Sequence, residues 1–154
     1  MKAIYVAAGA AALAMISVGG YVGFEKIRGI RNRNPLNIRK SDIAWDGKVY
    51  PGSDSDFEQF ESTEYGIRAA YKLMMTYRNK YGLDTVAGIV GRWAPGNEND
   101  TGAYIDSVCQ SMGVRSDYVL PINRYPDLIA AMIKHENGIN PYSADVIHMG
   151  VNLA

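Results

Sequence analysis

Residues 3–24, AIYVAAGAAALAMISVGGYVGF, carry no charge, and six basic residues (Lys26, Arg28, Arg31, Arg33, Arg39 and Lys40) follow almost at once. A run of this length and polarity leaves few folds open. As a helix it measures about 33 Å, enough for a hydrocarbon core of ~30 Å. It predicts a transmembrane anchor over residues 1–27 and a single-pass membrane protein. A cleaved secretory signal, with small residues around Ala10–Ala14, is the alternative. The run is rich in Ala and Gly, so Gly19 and Gly23 either mark a close helix–helix face or belong to a lone span. Six basic residues against Glu25 on the C-terminal flank predict a soluble part on the cytoplasmic side, unless the flank binds lipid headgroups instead.

The remaining ~125 residues make one domain's worth of chain. Net charge is zero, so no global field argues for nucleic acid as a partner. A single cysteine, Cys109, excludes an internal disulfide and argues against a cysteine-ligated zinc site. It shares a 3.6-residue stripe with Tyr104, Ile105, Val108 and Met112, which places it in a core rather than at a reaction centre.

Residues 25–61 read as irregular, with turn formers at Asn34-Pro35, Pro51-Gly52 and the Ser-Asp repeats of 53–56. Asp46-Gly47 offers the turn of a short hairpin across Ile43–Tyr50. Helices follow. One is predicted from Ser62, as cap, to Tyr81, with Gly82 ending it; its apolar face is Ile67, Ala70, Tyr71, Met74, Tyr77 and Tyr81. A shorter one is capped by Asp84 and stopped by Pro95. Asp100 caps the next, which runs to Met112. A fourth runs from Pro126 to Glu136 with Gly138 beyond, and Ser143 caps a last turn or two. The fold class is mainly α: an N-terminal transmembrane helix, then a small helical domain over 28–154 with an irregular or two-stranded lobe.

Glu136 is the sharpest candidate for chemistry. In the fourth helix Leu128, Ile129, Met132 and Ile133 recur at i, i+1, i+4 and i+5, and Glu136 is the next member of that stripe. Partial burial raises a carboxyl pKa, and a helix C-terminus disfavours negative charge. Both favour a protonated acid near neutral pH, the state that protonates a leaving glycosidic oxygen. The alternative is a side chain reaching into solvent or pairing with Lys134 or Arg124. His135 and His148 do not form a His-Glu-x-x-His pattern, so no metal and no cofactor are expected. Glu58, Glu61 and Glu64 precede the long helix as an acidic cluster, read for Glu58 and Glu64 as a solvated helix start. The loop from Trp93 through Asp100 pairs one large aromatic with amides. That suits a pyranose face and its N-acetyl groups, and it equally suits a connection whose Trp is core.

An ordered series of segments then carries a resemblance. RGIRNRNPLNIR (28–39), Trp45-Asp-Gly47, FEQFES (57–62), YGIRA (65–69), RWAP (92–95), NENDT (97–101), Tyr104-Ile105 and His135-Glu-Asn-Gly138 together resemble a phage and prophage virion-protein family with a lysozyme-like domain. Arg33 and Leu36 stand where that family's motif has Asn and Gly. A more distant likeness is to lytic transglycosylase and glucosaminidase domains, whose catalytic Glu ends an apolar helix ahead of segments like 34–39, 45–47 and 57–62. Glu136 fits that place if the domain is circularly permuted. The resemblance implies a virion-associated enzyme that cleaves the glycan strand of peptidoglycan, tethered in a phage's internal membrane for genome entry. Glu136 is then the general acid, Glu61 the runner-up carboxylate, and Asn34, Asn37, Gln59, Trp93 and Tyr142 line the sugar groove. The implied partners are peptidoglycan, the lipid bilayer and other membrane or capsid proteins of the virion. Two alternatives are a non-catalytic structural membrane protein of the virion and a signal-anchor-release endolysin, which the basic flank argues against.

Overall fold

The computed structural model describes residues 23–96 and 100–154. Among these, six α-helices and two 3-10 turns surround one apolar core. α1 (Arg28–Arg31) and the turn Phe24–Lys26 lead into an irregular lobe over residues 32–61. α2 (Thr63–Tyr81), α3 (Val86–Trp93), α4 (Thr101–Met112), α5 (Tyr125–Asn137) and α6 (Ala144–Asn152) follow, the second 3-10 turn, Ile122–Arg124, leading into α5.

The helices begin and end where local chemistry dictates. Ser62, Asp100 and Ser143 accept from the backbone N–H three residues on, and Gly82, Gly113 and Gly138 end their helices in the left-handed region. Such caps satisfy donors and acceptors that the helix itself leaves orphaned. α3 is capped by Thr85 rather than by Asp84. The Asp84 carbonyl accepts from the Leu120 N–H, and Thr85 forms a bridge with Val119, which draws the helix start one residue on. α6 runs nine residues, longer than a turn or two.

The core gathers Leu36, Ile38 and Phe60 from the lobe with Ile67, Met74, Ile89, Trp93, Leu128 and Met132 from the helices. Leu36, at a position where the resembling motif has Gly, is wholly buried. Arg33 adopts φ 52°, the left-handed backbone that Asn tolerates better than Arg.

Three expectations are corrected here. No helix among the described residues is long and apolar enough to cross a membrane. The end of the charge-free run, Phe24, lies in a 3-10 turn, and residues 3–22 lie outside the described residues. The transmembrane helix is therefore struck from the fold class and the single-pass membrane location with it. The basic flank behind that reading is engaged inside the domain: Arg28 forks onto Asp54 (2.8 and 2.6 Å) and reaches Asp56 (2.7 Å), and its guanidinium covers the Phe57 ring at 4.4 Å. Second, no two-stranded lobe forms among the described residues. The chain turns at Asp46-Gly47, but Lys48 pairs with Phe60, and Arg39 with Phe57, as isolated bridges. The segment 57–60 outcompetes the local hairpin because it also contributes Phe57 and Phe60 to the interior. Third, Glu58 is no solvated helix start; it is 1% exposed and paired with Lys48 at 2.9 Å.

α6 crosses α2 at close range, and Gly150 permits it. A Cβ there would meet Ile67 side-chain atoms at 2.6 Å and the Glu64 carbonyl at 2.9 Å. Gly150→Ala forces the two helices apart and is expected to lower stability by about 1–3 kcal/mol, read as a fall in Tm; an unchanged Tm would mean that the crossing is looser.

Candidate functional site

The apolar stripe of α5 buries Leu128, Ile129, Met132 and Ile133 completely, and Glu136 continues it at 7% exposure. Its two carboxylate oxygens meet different parts of the chain. Asn37 Nδ2 donates to Oε2 at 3.0 Å, and the Tyr104 hydroxyl donates to Oε1 at 2.9 Å. The site thus joins the lobe, α4 and the C-terminal turn of α5.

Each partner is itself placed. Asn37 has φ 51°, a backbone that Asn accepts at low cost. Asn34 folds the preceding turn around itself: its Oδ1 accepts from Ile38 N–H, and its Nδ2 donates to the Ile38 and Glu58 carbonyls, all at 2.9 Å. Asn137 Nδ2 donates to the Pro35 carbonyl at 2.7 Å and ties the end of α5 to the same turn. Tyr104 is buried, and the half-buried His135 ring stacks on it with centroids 3.8 Å apart.

Burial pushes the Glu136 carboxyl up to about 7, against the opposing pull of Asn37, Tyr104 and Trp93, which favour the anion. Trp93 Nε1–H is buried without a partner at hydrogen-bond geometry, so it acts as a nearby dipole rather than a formed bond. Burial, and after it the Glu136 charge, holds the Tyr104 phenol protonated well above its ordinary value. Burial lowers His135, which leaves it neutral at pH 7. A carboxyl that changes charge near neutrality, with two donors ready for its anion, can give up a proton and hold the resulting charge.

The other predicted residues fall elsewhere. Trp93 is wholly buried, edge-on to Tyr77 at 6.4 Å, so it has no free face to stack on a sugar. Asn34 spends its amide on the turn. Gln59 Oε1 accepts from Ser53 and Asp54 N–H, and its Nε2 donates to Asn32. Tyr142 is half-buried against the core. Glu61 is exposed; its N–H donates to Gly47 and its carbonyl accepts from Arg33. Of the predicted set, Asn37 alone hydrogen-bonds Glu136. Residues 97–99 of the Trp93–Asp100 loop lie outside the described residues. Tyr104 and His135 were missed as site residues; Tyr104 reads in sequence as one more member of an apolar stripe, and only its hydroxyl distinguishes it. Cys109 packs against the core, and burial raises its thiol pKa. Among the described residues no group of three His, Cys, Asp or Glu is placed to hold a metal ion.

The raised Glu136 pKa has a definite sign. The folded state binds a proton between about 4.5 and 7 that the unfolded chain has released, so this group's stabilisation is complete below 4.5 and is lost as pH rises through 7. His135, lowered by burial, tilts stability the other way. The difference between wild type and Glu136→Gln cancels the His135 contribution. In urea melts that difference is expected to shrink with rising pH by about 1 kcal/mol per unit across 5–7; a pH-independent difference would place an ordinary carboxyl there.

The chain is similar to Protein P5 of Pseudoalteromonas phage PM2, with 43% identity over 129 residues that cover 82% of this chain and 81% of that protein. No protein-family model matches it.

Proposed function

The chain belongs to the family of Protein P5 of Pseudoalteromonas phage PM2, and from that premise we propose a component of the phage particle whose helical domain cleaves the glycan strand of peptidoglycan. Its partners are the other proteins of the virion. The observation that carries the catalytic reading is one buried carboxyl poised near pH 7 at the end of an apolar helix, with donors on both oxygens.

Glu136 protonates the leaving glycosidic oxygen as the bond to the anomeric carbon breaks. The proton comes from the carboxyl, and the negative charge left behind is received by the Asn37 amide and the Tyr104 hydroxyl. The N-acetyl carbonyl oxygen of the substrate sugar bonds to the anomeric carbon as the glycosidic bond breaks, as in substrate-assisted enzymes; a hydroxyl nucleophile, water or the sugar's own C6 hydroxyl, then displaces it and returns its proton to the Glu136 carboxylate. His135, stacked on Tyr104, keeps that hydroxyl aimed at Glu136.

One observation favours a second reading. Both Glu136 oxygens already have internal donors, and the side chain is 7% exposed. A structural particle protein could use this carboxylate only to clamp the lobe onto the helices, since a fold alone does not establish activity.

Glu136→Gln separates the two. The amide keeps the shape and one acceptor but cannot donate a proton to an alkoxide leaving group. Muropeptide release by the full chain is expected to fall by about 100-fold or more in the variant, with Tm within a few degrees of wild type. Equal release by both proteins would remove Glu136 from the chemistry. No release by a folded wild type would favour the clamp.

A further inference from the structure

Gly29 is buried in α1, where its backbone is helical and outside the left-handed region, a conformation open to every residue. Space, not φ, therefore calls for glycine here. A Cβ at this position would lie 2.6 Å from Asn137 Oδ1, 3.0 Å from Asn37 Oδ1 and 3.2 Å from the Asn34 carbonyl oxygen. These oxygens belong to the turn and the helix end that bracket Glu136. Asn137 Oδ1 is buried and receives no N–H or O–H donor among the described residues. The Gly29 Cα–H that replaces a Cβ points towards it instead, a weak donor that close backbone approach allows.

Close contacts cost little when one partner can swing away, but neither side is free here. α1 is pinned on both sides of Gly29: Arg28 and Asn32 donate to Asp54, and the Gly29 carbonyl accepts from Asn34 N–H at 2.9 Å. Asn137 Nδ2 is held by the Pro35 carbonyl at 2.7 Å and the Ile133 carbonyl at 2.9 Å. Asn37 Nδ2 is held by Glu136 Oε2 at 3.0 Å. A methyl group placed between fixed partners forces a side chain out of its position. Asn137 would meet it most closely but is anchored twice. Asn37 hangs on a single side-chain bond, and turning its amide breaks that bond.

We propose that Gly29 is a positioning residue for Glu136: by leaving room for the Asn37 and Asn137 amides, it sets the hydrogen bond that Asn37 gives to Glu136 Oε2. Gly29 touches neither the carboxyl nor a substrate and acts through Asn37. Its consequence for glycan cleavage rests on the reading of Glu136 as the proton donor; its control of where the Asn37 amide sits does not.

The experiment compares the titration of the Glu136 carboxyl, followed by carbon-13 NMR in the full chain, between wild type and variants. Burial and the neutral donors Asn37, Tyr104 and Trp93 govern that titration, so loss of one donor to the anion reads as a higher midpoint. Gly29→Ala is expected to raise the midpoint by about one pH unit. Asn37→Gly, which accepts the left-handed backbone and removes the amide, is expected to raise it as well. Adding Gly29→Ala to Asn37→Gly should then raise it no further. Gly150→Ala loosens the fold at another crossing and should leave the midpoint at the wild-type value, which separates positioning from a general loss of stability. If Gly29→Ala does not fold, Gly29→Ala paired with Asn137→Ala, which removes the closest oxygen, is compared with Asn137→Ala alone. A midpoint unmoved by Gly29→Ala in either background, or moved further on top of Asn37→Gly, overturns the proposal. Muropeptide release is expected to fall about tenfold or more in Gly29→Ala. A wild type that releases nothing, with the midpoint still raised in Gly29→Ala, supports the positioning role and overturns only the catalytic reading.

Discussion

The contact on which the architecture turns is the pair of hydrogen bonds at Glu136. Asn37 lies 99 residues away in sequence and Tyr104 lies 32 away, so one carboxylate closes the chain's beginning and middle onto its end. Long-range closure of this kind is entropically expensive to form, and a buried carboxylate is expensive to desolvate. Both costs are offset only if each oxygen has its donor and the surroundings are packed, as they are here by Trp93, Met132 and Ile133. The same environment lifts the carboxyl to about 7, so the feature that joins the fold is also the one with reactive potential.

A second buried anion organises the lobe. Asp54 accepts the Arg28 fork, the Asn32 amide, and the N–H groups of Asp56 and Phe57. Those bonds hold its carboxyl far below the usual carboxylate range, with the Arg28 contribution first. The two anions have opposite characters. Asp54 is saturated by a cation and three further donors and stays charged. Glu136 faces only neutral donors, and desolvation prevails. Segments without regular secondary structure can be as well determined as helices when a buried ion serves as their hub.

The helices were largely legible in the sequence because their signals are local. Ser62, Asp100 and Ser143 announce the caps, Gly82, Gly113 and Gly138 the ends, and the α5 stripe points directly at Glu136. Where the reading failed, the deciding contact was distant. The Asp46-Gly47 turn was visible, but its pairing with 57–60 depends on Phe57 and Phe60 finding the core. Asn34 looked like a sugar ligand because its amide is free in sequence; in the fold that amide closes a turn. Arg28 looked like a lipid-facing charge until Asp54 and Asp56 claimed it. Gly29 carried no periodic signal at all, and the two amides that it faces meet only in three dimensions.

Glu136 holds a proton near neutral pH inside a donor pair supplied by Asn37 and Tyr104. Carbon-detected NMR of the side-chain carboxyl of Glu136, followed against pH in the folded protein, tests it most directly. The expected midpoint is about 7, moving upward in Tyr104→Phe, where one donor to the anion is lost. A midpoint near 4.5, the ordinary value for a glutamate, would contradict it.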